Sequence, residues 1–224
     1  GKSLTPGQTD RIVTASVMRN TLVLRTLLDE LVSFGIHEQL DRRIDRYLDT
    51  ANPDEFFQRV LLRAEEDYGA QLVRDTLALI ALSRAGLSEP ELLGISGIRQ
   101  LEWSQFYCAF AGHFTVKNGL VQFSHRYLRN AVRSKYLSRE ADIHACRERI
   151  IAYIQDLHFS EEDIEYLRSK DLFSERFLDY LRDFKFTGDV WAIPEGTPIF
   201  PREPIITVRA PAIQAQLVET FLLL

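Results

Sequence analysis

Five of the eight prolines in this 224-residue chain fall between Pro194 and Pro211, and no other feature limits its fold as strongly. Proline removes a backbone donor and fixes φ, so neither a continuous helix nor a central strand passes through such a stretch. Pro-Glu-Gly, Phe-Pro-Arg-Glu-Pro and Ala-Pro there separate β-prone runs at Val190–Ile193, Thr197–Phe200 and Ile205–Arg209, and Gln214 onward reads as a final helix. The text before this stretch is helical in pattern and holds only three prolines. The expected fold class is therefore mainly α, closing in a small α+β fragment. Charge divides the same way. Residues 1–155 carry 20 Lys+Arg against 19 Asp+Glu, whereas 156–224 carry 7 against 13, which places a boundary near Asp156.

The remaining bounds are modest. An apolar fraction of 46% and a charged fraction of 26% suit a globular chain with one good core or two smaller ones. Cys108 and Cys146 are too few for a disulfide framework and show no metal-ligand spacing, so no metal and a reducing, cytoplasmic setting are expected. No apolar run approaches the ~20 residues that a membrane span needs. The chain opens GKSLTPGQTD without an initiator Met and stops inside the apolar run LVETFLLL, so a longer parent protein is expected.

Periodicity organises the first piece. Thr5 or Thr9 caps a first helix, and Leu24, Leu27, Leu28 and Leu31 follow at helical spacing up to Gly35. His37 to Leu48 sets Leu40, Ile44, Tyr47 and Leu48 against Asp41, Arg42, Asp45 and Arg46, and Asn52-Pro53 starts another helix. A helix over 70–84, an Ala-Gly-Leu link and EPELLGIS behind a Ser88 cap give a helix-turn-helix outline. LEWSQFYCAFAGHF then leads to two β-prone runs joined at Asn118-Gly119, a strong hairpin signal. A closing helix from a Ser124 cap carries Arg126, Arg129, Arg133, Lys135 and Arg139 with no acidic residue. This is the order of a winged-helix domain over about residues 69–137. Its cationic helix raises a nucleic-acid-binding reading through phosphate contacts. Against it, the helix that would enter a major groove holds no Lys or Arg and is filled by Trp103, Phe106, Tyr107 and Phe110.

The strings LTPGQTDRIVTASVMRNTLVLRTLLDELVSFG and HEQLDRRIDRYL, followed by a winged helix ending FSHRYLRNAV, resemble the lid and winged-helix region of STAND signalling NTPases of the NACHT and nephrocystin type. The resemblance covers about residues 1–150. It implies a nucleotide, ATP or ADP, held with a partner NTPase core, and a phosphate-sensing role for His125, which sits in an F-S-H-x-x-L-R pattern. An imidazole beside a helix N-terminus suits that role. Related lids read Asn-Pro-Leu where this chain has Asn20-Thr21-Leu22. Gly1-Lys2-Ser3 matches the tail of a Walker A motif, but no strand or glycine-rich loop precedes it and no Walker B strand follows, so ATP hydrolysis is not expected.

Beyond His158, Ser160 and Ser174 each cap a short helix with an apolar face. The strings FTGDVWAIPEGTPIFPREPI and AQLVET resemble the N-terminal domain of nicotinate phosphoribosyltransferase over about residues 156–224. That resemblance implies phosphoribosyl diphosphate with Mg and a partner barrel that holds it. No phosphate loop occurs in 156–224, and Asp189, Glu195 and Glu219 read more simply as turn or helix residues. No catalytic residue is assigned. The expected organisation is a lid at 1–68, a winged helix with its following helix at 69–155, and a partial phosphoribosyltransferase domain at 156–224, with no cofactor bound by the chain alone.

Overall fold

A computed structural model describes residues 4–33, 39–83, 85–194 and 197–222. Gly1-Lys2-Ser3, Gly35, His37 and Glu195 lie outside the described residues. The chain divides into two compact units, residues 1–144 and 145–224. The division falls inside a helix, whereas charge alone places it near Asp156.

In the first unit, α1 (Pro6–Thr14) is capped by Thr5 in a reciprocal box with Gln8, so Thr9 is not the cap. A 3-10 turn at Ser16–Arg19 leads to α2 (Thr21–Ser33). Asn20 Oδ1 accepts from the Leu22 and Val23 amides at 3.0 and 3.3 Å, satisfying two of the orphan donors of α2. Helices α3 (Leu40–Leu48) and α4 (Pro53–Tyr68) follow, α4 behind an Asn52 cap with proline in its first turn.

The buried face of α4 (Phe56, Phe57, Val60, Leu61 and Ala64) packs against α5 (Ala70–Leu82) and α8 (Arg126–Tyr136). Burying such side chains yields about 1.5–3 kcal/mol each before chain entropy is charged, so α4 is the central strut of this unit.

Between α5 and α8 run α6 (Glu89–Ser96), α7 (Gln100–Phe110), a 3-10 turn at Ala111–His113 and the hairpin β1 (Phe114–Lys117) with β2 (Leu120–Phe123). Ser88 and Glu91 form the capping box that starts α6. The aromatic α7 buries Trp103, Phe106 and Phe110. Asn118 and Gly119 have φ of 54° and 80°, the two positive values that a two-residue type I′ hairpin turn requires. A bridge between Leu87 and Val121 ties the α5–α6 link to the hairpin. Gly86 crosses there at φ 92°, and a Cβ on it would stand 2.5 Å from the Val121 carbonyl oxygen. Only glycine meets both conditions.

Helix α9 (Glu140–Gln155) runs through the unit boundary. The second unit continues with α10 (Glu161–Ser169) and α11 (Glu175–Arg182), capped by Ser160 and Ser174 as their sequence dictates. Ile164, Leu178 and Leu181 form its small core, flanked by Phe159, Leu167, Phe177 and Leu217. Strand β3 (Asp189–Ala192) pairs antiparallel with β4 (Ile206–Arg209), Asp189 opposite Arg209, before α12 (Ala212–Leu222). Gln214 of α12 is buried and accepts from the Thr187 amide and hydroxyl at 2.9 and 3.2 Å, anchoring the turn that enters β3.

Thr197–Phe200 is not a strand. Its amides turn inward instead: Thr197 donates to the Pro194 carbonyl at 3.2 Å and Phe200 to the Glu203 carboxylate at 3.0 Å. Pro198 and Pro201 have no donor to give a ladder. The molecule is thus mainly α with a small α+β portion. Among the described residues no helix is long and apolar enough to cross a membrane.

Candidate functional site

His125 does more than precede the basic helix, since it is the N-cap of α8, a place the sequence assigns to Ser124. Its Nδ1 accepts from the Leu128 amide at 3.3 Å. Its Nε2 meets His113 Nδ1 at 3.3 Å, and its ring lies 4.7 Å from that of Phe57. The hairpin arranges this meeting. Phe114 opposes Phe123, and the next rung is closed by the Ser124 amide donating to the His113 carbonyl at 2.9 Å, so residue 125 arrives beside residue 113.

These bonds fix the proton positions. An Nδ1 that accepts from a backbone N–H carries no proton, so neutral His125 holds its proton on Nε2 and donates to His113 Nδ1. A metal on His125 Nε2 would then require an imidazolate, and the pair is a poor metal site. Among the described residues no cluster of three or more His, Cys, Asp or Glu could hold an ion. His113 is 8% exposed, and burial, with His125 and Arg63 adding repulsion, pushes its pKa down to about 3. Burial brings half-buried His125 down to about 4. Both rings are neutral near pH 7.

Two cavities flank His125. One of about 260 Å³ includes Gly86, Gln122, Ser124, Arg126 and Arg129 in its wall, and one of about 360 Å³ includes Thr26, Asp29, Glu30, Gly112 and His113. Below the second, Glu30 accepts from the Tyr47 hydroxyl at 2.6 Å and from Arg63 Nε at 2.9 Å, while Arg63 also pairs with Asp67 and covers the Phe110 ring. Burial first, then the Glu30 charge, pushes the Tyr47 hydroxyl up. Burial opposes the Arg63 charge, but Glu30 overcomes it and raises the guanidinium. This network holds α2, α3 and α4 together.

Arg129, Arg133 and Lys135 of α8 are engaged internally, whereas Arg126 is exposed and lies over the Tyr127 ring. Arg129 donates to the Ala81 and Ser83 carbonyls at 3.3 and 3.2 Å, and Arg133 to Ala81 at 3.4 Å. They neutralise the open carbonyl end of α5, where the helix dipole favours cations. Lys135 and the Tyr136 hydroxyl both reach Glu65 at 2.7 Å. Arg139 lies beyond α8 and pairs with Asp142.

In the second unit Asp189 is the exposed first residue of β3 rather than a turn former, and Glu219 accepts from Gln216 Nε2 at 2.5 Å within α12. Among the described residues neither carboxylate belongs to a group of three or more His, Cys, Asp or Glu that could hold a metal. His113 escapes local sequence reading because no motif links it to His125. The Asn118-Gly119 turn holds the missing signal, since a two-residue loop fixes which residues face one another down the hairpin.

The described residues define a mainly α chain with a small α+β module whose clustered ionisable groups serve packing. The chain belongs to the family of the nicotinate phosphoribosyltransferase (NAPRTase) N-terminal domain, whose model matches residues 113–224. It is 51% identical to nicotinate phosphoribosyltransferase pncB2 of Mycobacterium tuberculosis over 74 residues, 33% of this chain and 16% of that protein. It is 40% identical to the nicotinate phosphoribosyltransferase of Bacillus subtilis over 76 residues, 34% of this chain and 16% of that protein. Tetratricopeptide repeat protein 41 of Rattus norvegicus is 27% identical over 231 residues, covering 90% of this chain and 17% of that protein. The chain thus spans about a sixth of the length of these curated relatives. No solved structure matches significantly. The phosphoribosyltransferase match has nearly twice the identity, over a shorter aligned length.

Proposed function

We propose that this polypeptide joins the regulatory region of a STAND-type NTPase, lid and winged helix, to the N-terminal part of a nicotinate phosphoribosyltransferase, and that it holds no complete active site of its own. The observation that carries the second half is the 51% identity to pncB2 across only 16% of that enzyme. Phosphoribosyl transfer needs donors and a metal to hold the diphosphate while an oxocarbenium-like carbon meets the pyridine nitrogen. Asp189 and Glu219 supply no such cradle. The exposed faces of β3 and β4, with Trp191 52% and Ile205 54% accessible beside them, fit a sheet whose covering, a phosphoribosyltransferase barrel, is supplied from outside these residues.

Purified polypeptide given nicotinate, phosphoribosyl diphosphate, Mg²⁺ and ATP should form no nicotinate mononucleotide above a blank. Clear turnover would overturn the reading.

The STAND half rests on the motif strings and on element order: a lid, then helix-turn-helix, α7, hairpin and α8. In it, His125 is best read as a helix cap and wing anchor, because both ring nitrogens are engaged internally. With a parent NTPase core supplied, ADP affinity should be equal for His125 and His125→Ala. A loss of about 1–3 kcal/mol would instead assign it a phosphate contact. For nucleic acid, the internal use of Arg129, Arg133 and Lys135 favours a structural helix over a reader of phosphates.

A further inference from the structure

We propose that the His113–His125 pair is an acid-released latch, in which protonation of His125 uncaps α8 and frees its first turn from the base of the β-hairpin. The cap of α8 is a ring nitrogen, an acceptor lost when the imidazole takes up a proton, whereas Ser and Asn caps keep their acceptor whatever the pH and a protonated Asp still keeps its carbonyl oxygen. A proton on Nδ1 faces the Leu128 N–H donor at 3.3 Å. A proton on His113 Nδ1 faces the Nε2–H of His125 at the same distance. Either event replaces a hydrogen bond by two opposed donors, and both together set two cations side by side.

The surroundings do not rescue the charged form evenly. From α2, Arg25, Asp29 and Glu30 share the larger cavity wall with both rings. From α4, Arg63 repels His113. On α8 itself, Arg126 and Arg129 share the smaller cavity wall with His125, Arg126 lies over the Tyr127 ring, and Tyr127 stacks on Phe57 at 6.0 Å. Glu30 is already claimed by Tyr47 and Arg63, and Asp29 by Arg25 at 3.8 Å. The helix N-terminus adds a further positive field.

Opening returns each ring to an ordinary affinity for protons near pH 6.5. The open form therefore gains from about pH 6.5 downward, by up to roughly tenfold per pH unit for each ring released, until the latched rings themselves protonate. The latch stays closed near neutrality and loosens in mild acid. The device is independent of the NTPase and phosphoribosyltransferase readings above.

The test is amide exchange, expressed as protection factors at Leu128 in the full polypeptide, together with imidazole titration by NMR between pH 7 and 4.5. Protection at Leu128 should fall at least tenfold across that range and in step with proton uptake by the rings. His125→Asn and His125→Ser, which cap without titrating, should flatten the profile, and two such variants guard against one failing to fold. An equal acid loss in these variants would overturn the latch, as would rings that protonate near pH 6.5 with Leu128 protection unchanged.

Discussion

At the scale of single residues, the buried network around Glu30 sets the largest expected penalties. Arg63→Met would leave Glu30 with the Tyr47 hydroxyl and the more distant Arg43 at 3.8 Å, and removing one partner of a buried pair costs about 3–5 kcal/mol. Urea unfolding should show that loss in the transition midpoint. A converse prediction concerns Thr21. Asn20 has φ −81° and ψ 114°, the extended geometry that a following proline demands, and residue 21 is the first of α2. Thr21→Pro should therefore stabilise the first unit by about 0.5 kcal/mol. A lower urea midpoint would contradict it. Stability also carries a pH signature. His113 and His125 have pKa values depressed in the folded chain, so the unfolded chain binds more protons below pH 6.5 and stability falls as pH drops toward about 3.

The elements show which parts of the fold a sequence states openly. Caps are local chemistry, and Asn52, Ser88, Ser160 and Ser174 all begin helices as read; the Asn118-Gly119 turn is equally local. The misreadings come where a long-range partner decides. Ser124 yields the cap to His125 because its own amide and hydroxyl are drawn to His113 and Gly112 across the hairpin base. The charges of α8 read as a basic face, yet the far end of α5 takes Arg129 and Arg133, pairings across 48 and 52 residues. Arg129→Ala with Arg133→Ala should cost about 1–2 kcal/mol and leave affinity for duplex DNA near physiological salt unmeasurably weak, as in the parent chain. Sub-micromolar, sequence-selective binding that the double variant abolishes would reverse that assignment. Gly86→Ala should be worse tolerated than either, since it combines a φ of 92° with a backbone overlap at Val121.

For the whole molecule, two units in one chain predict two separable cooperative transitions. Brief proteolysis should nick between Ser138 and Ser160, at the linkers bounding α9, and leave two resistant fragments. One resistant core running through that interval would contradict the division. Periodicity, charge balance and the proline cluster made two pieces legible. The division at residue 144 was not, because a boundary inside a continuous helix changes neither period nor composition.

The open β3–β4 pair has a further consequence for the polypeptide in solution. Among the described residues neither edge of this two-stranded sheet has a further strand, and Val190, Trp191, Ile205 and Ile206 are exposed, as is Phe200 at 75% in the connection between the strands. Edge strands of this kind template strand addition by other molecules. Colloidal behaviour should accordingly be governed by the last forty residues rather than by the larger first unit. Raising concentration or salt should drive self-association, and Trp191→Lys with Ile206→Lys should suppress it without lowering the helix content.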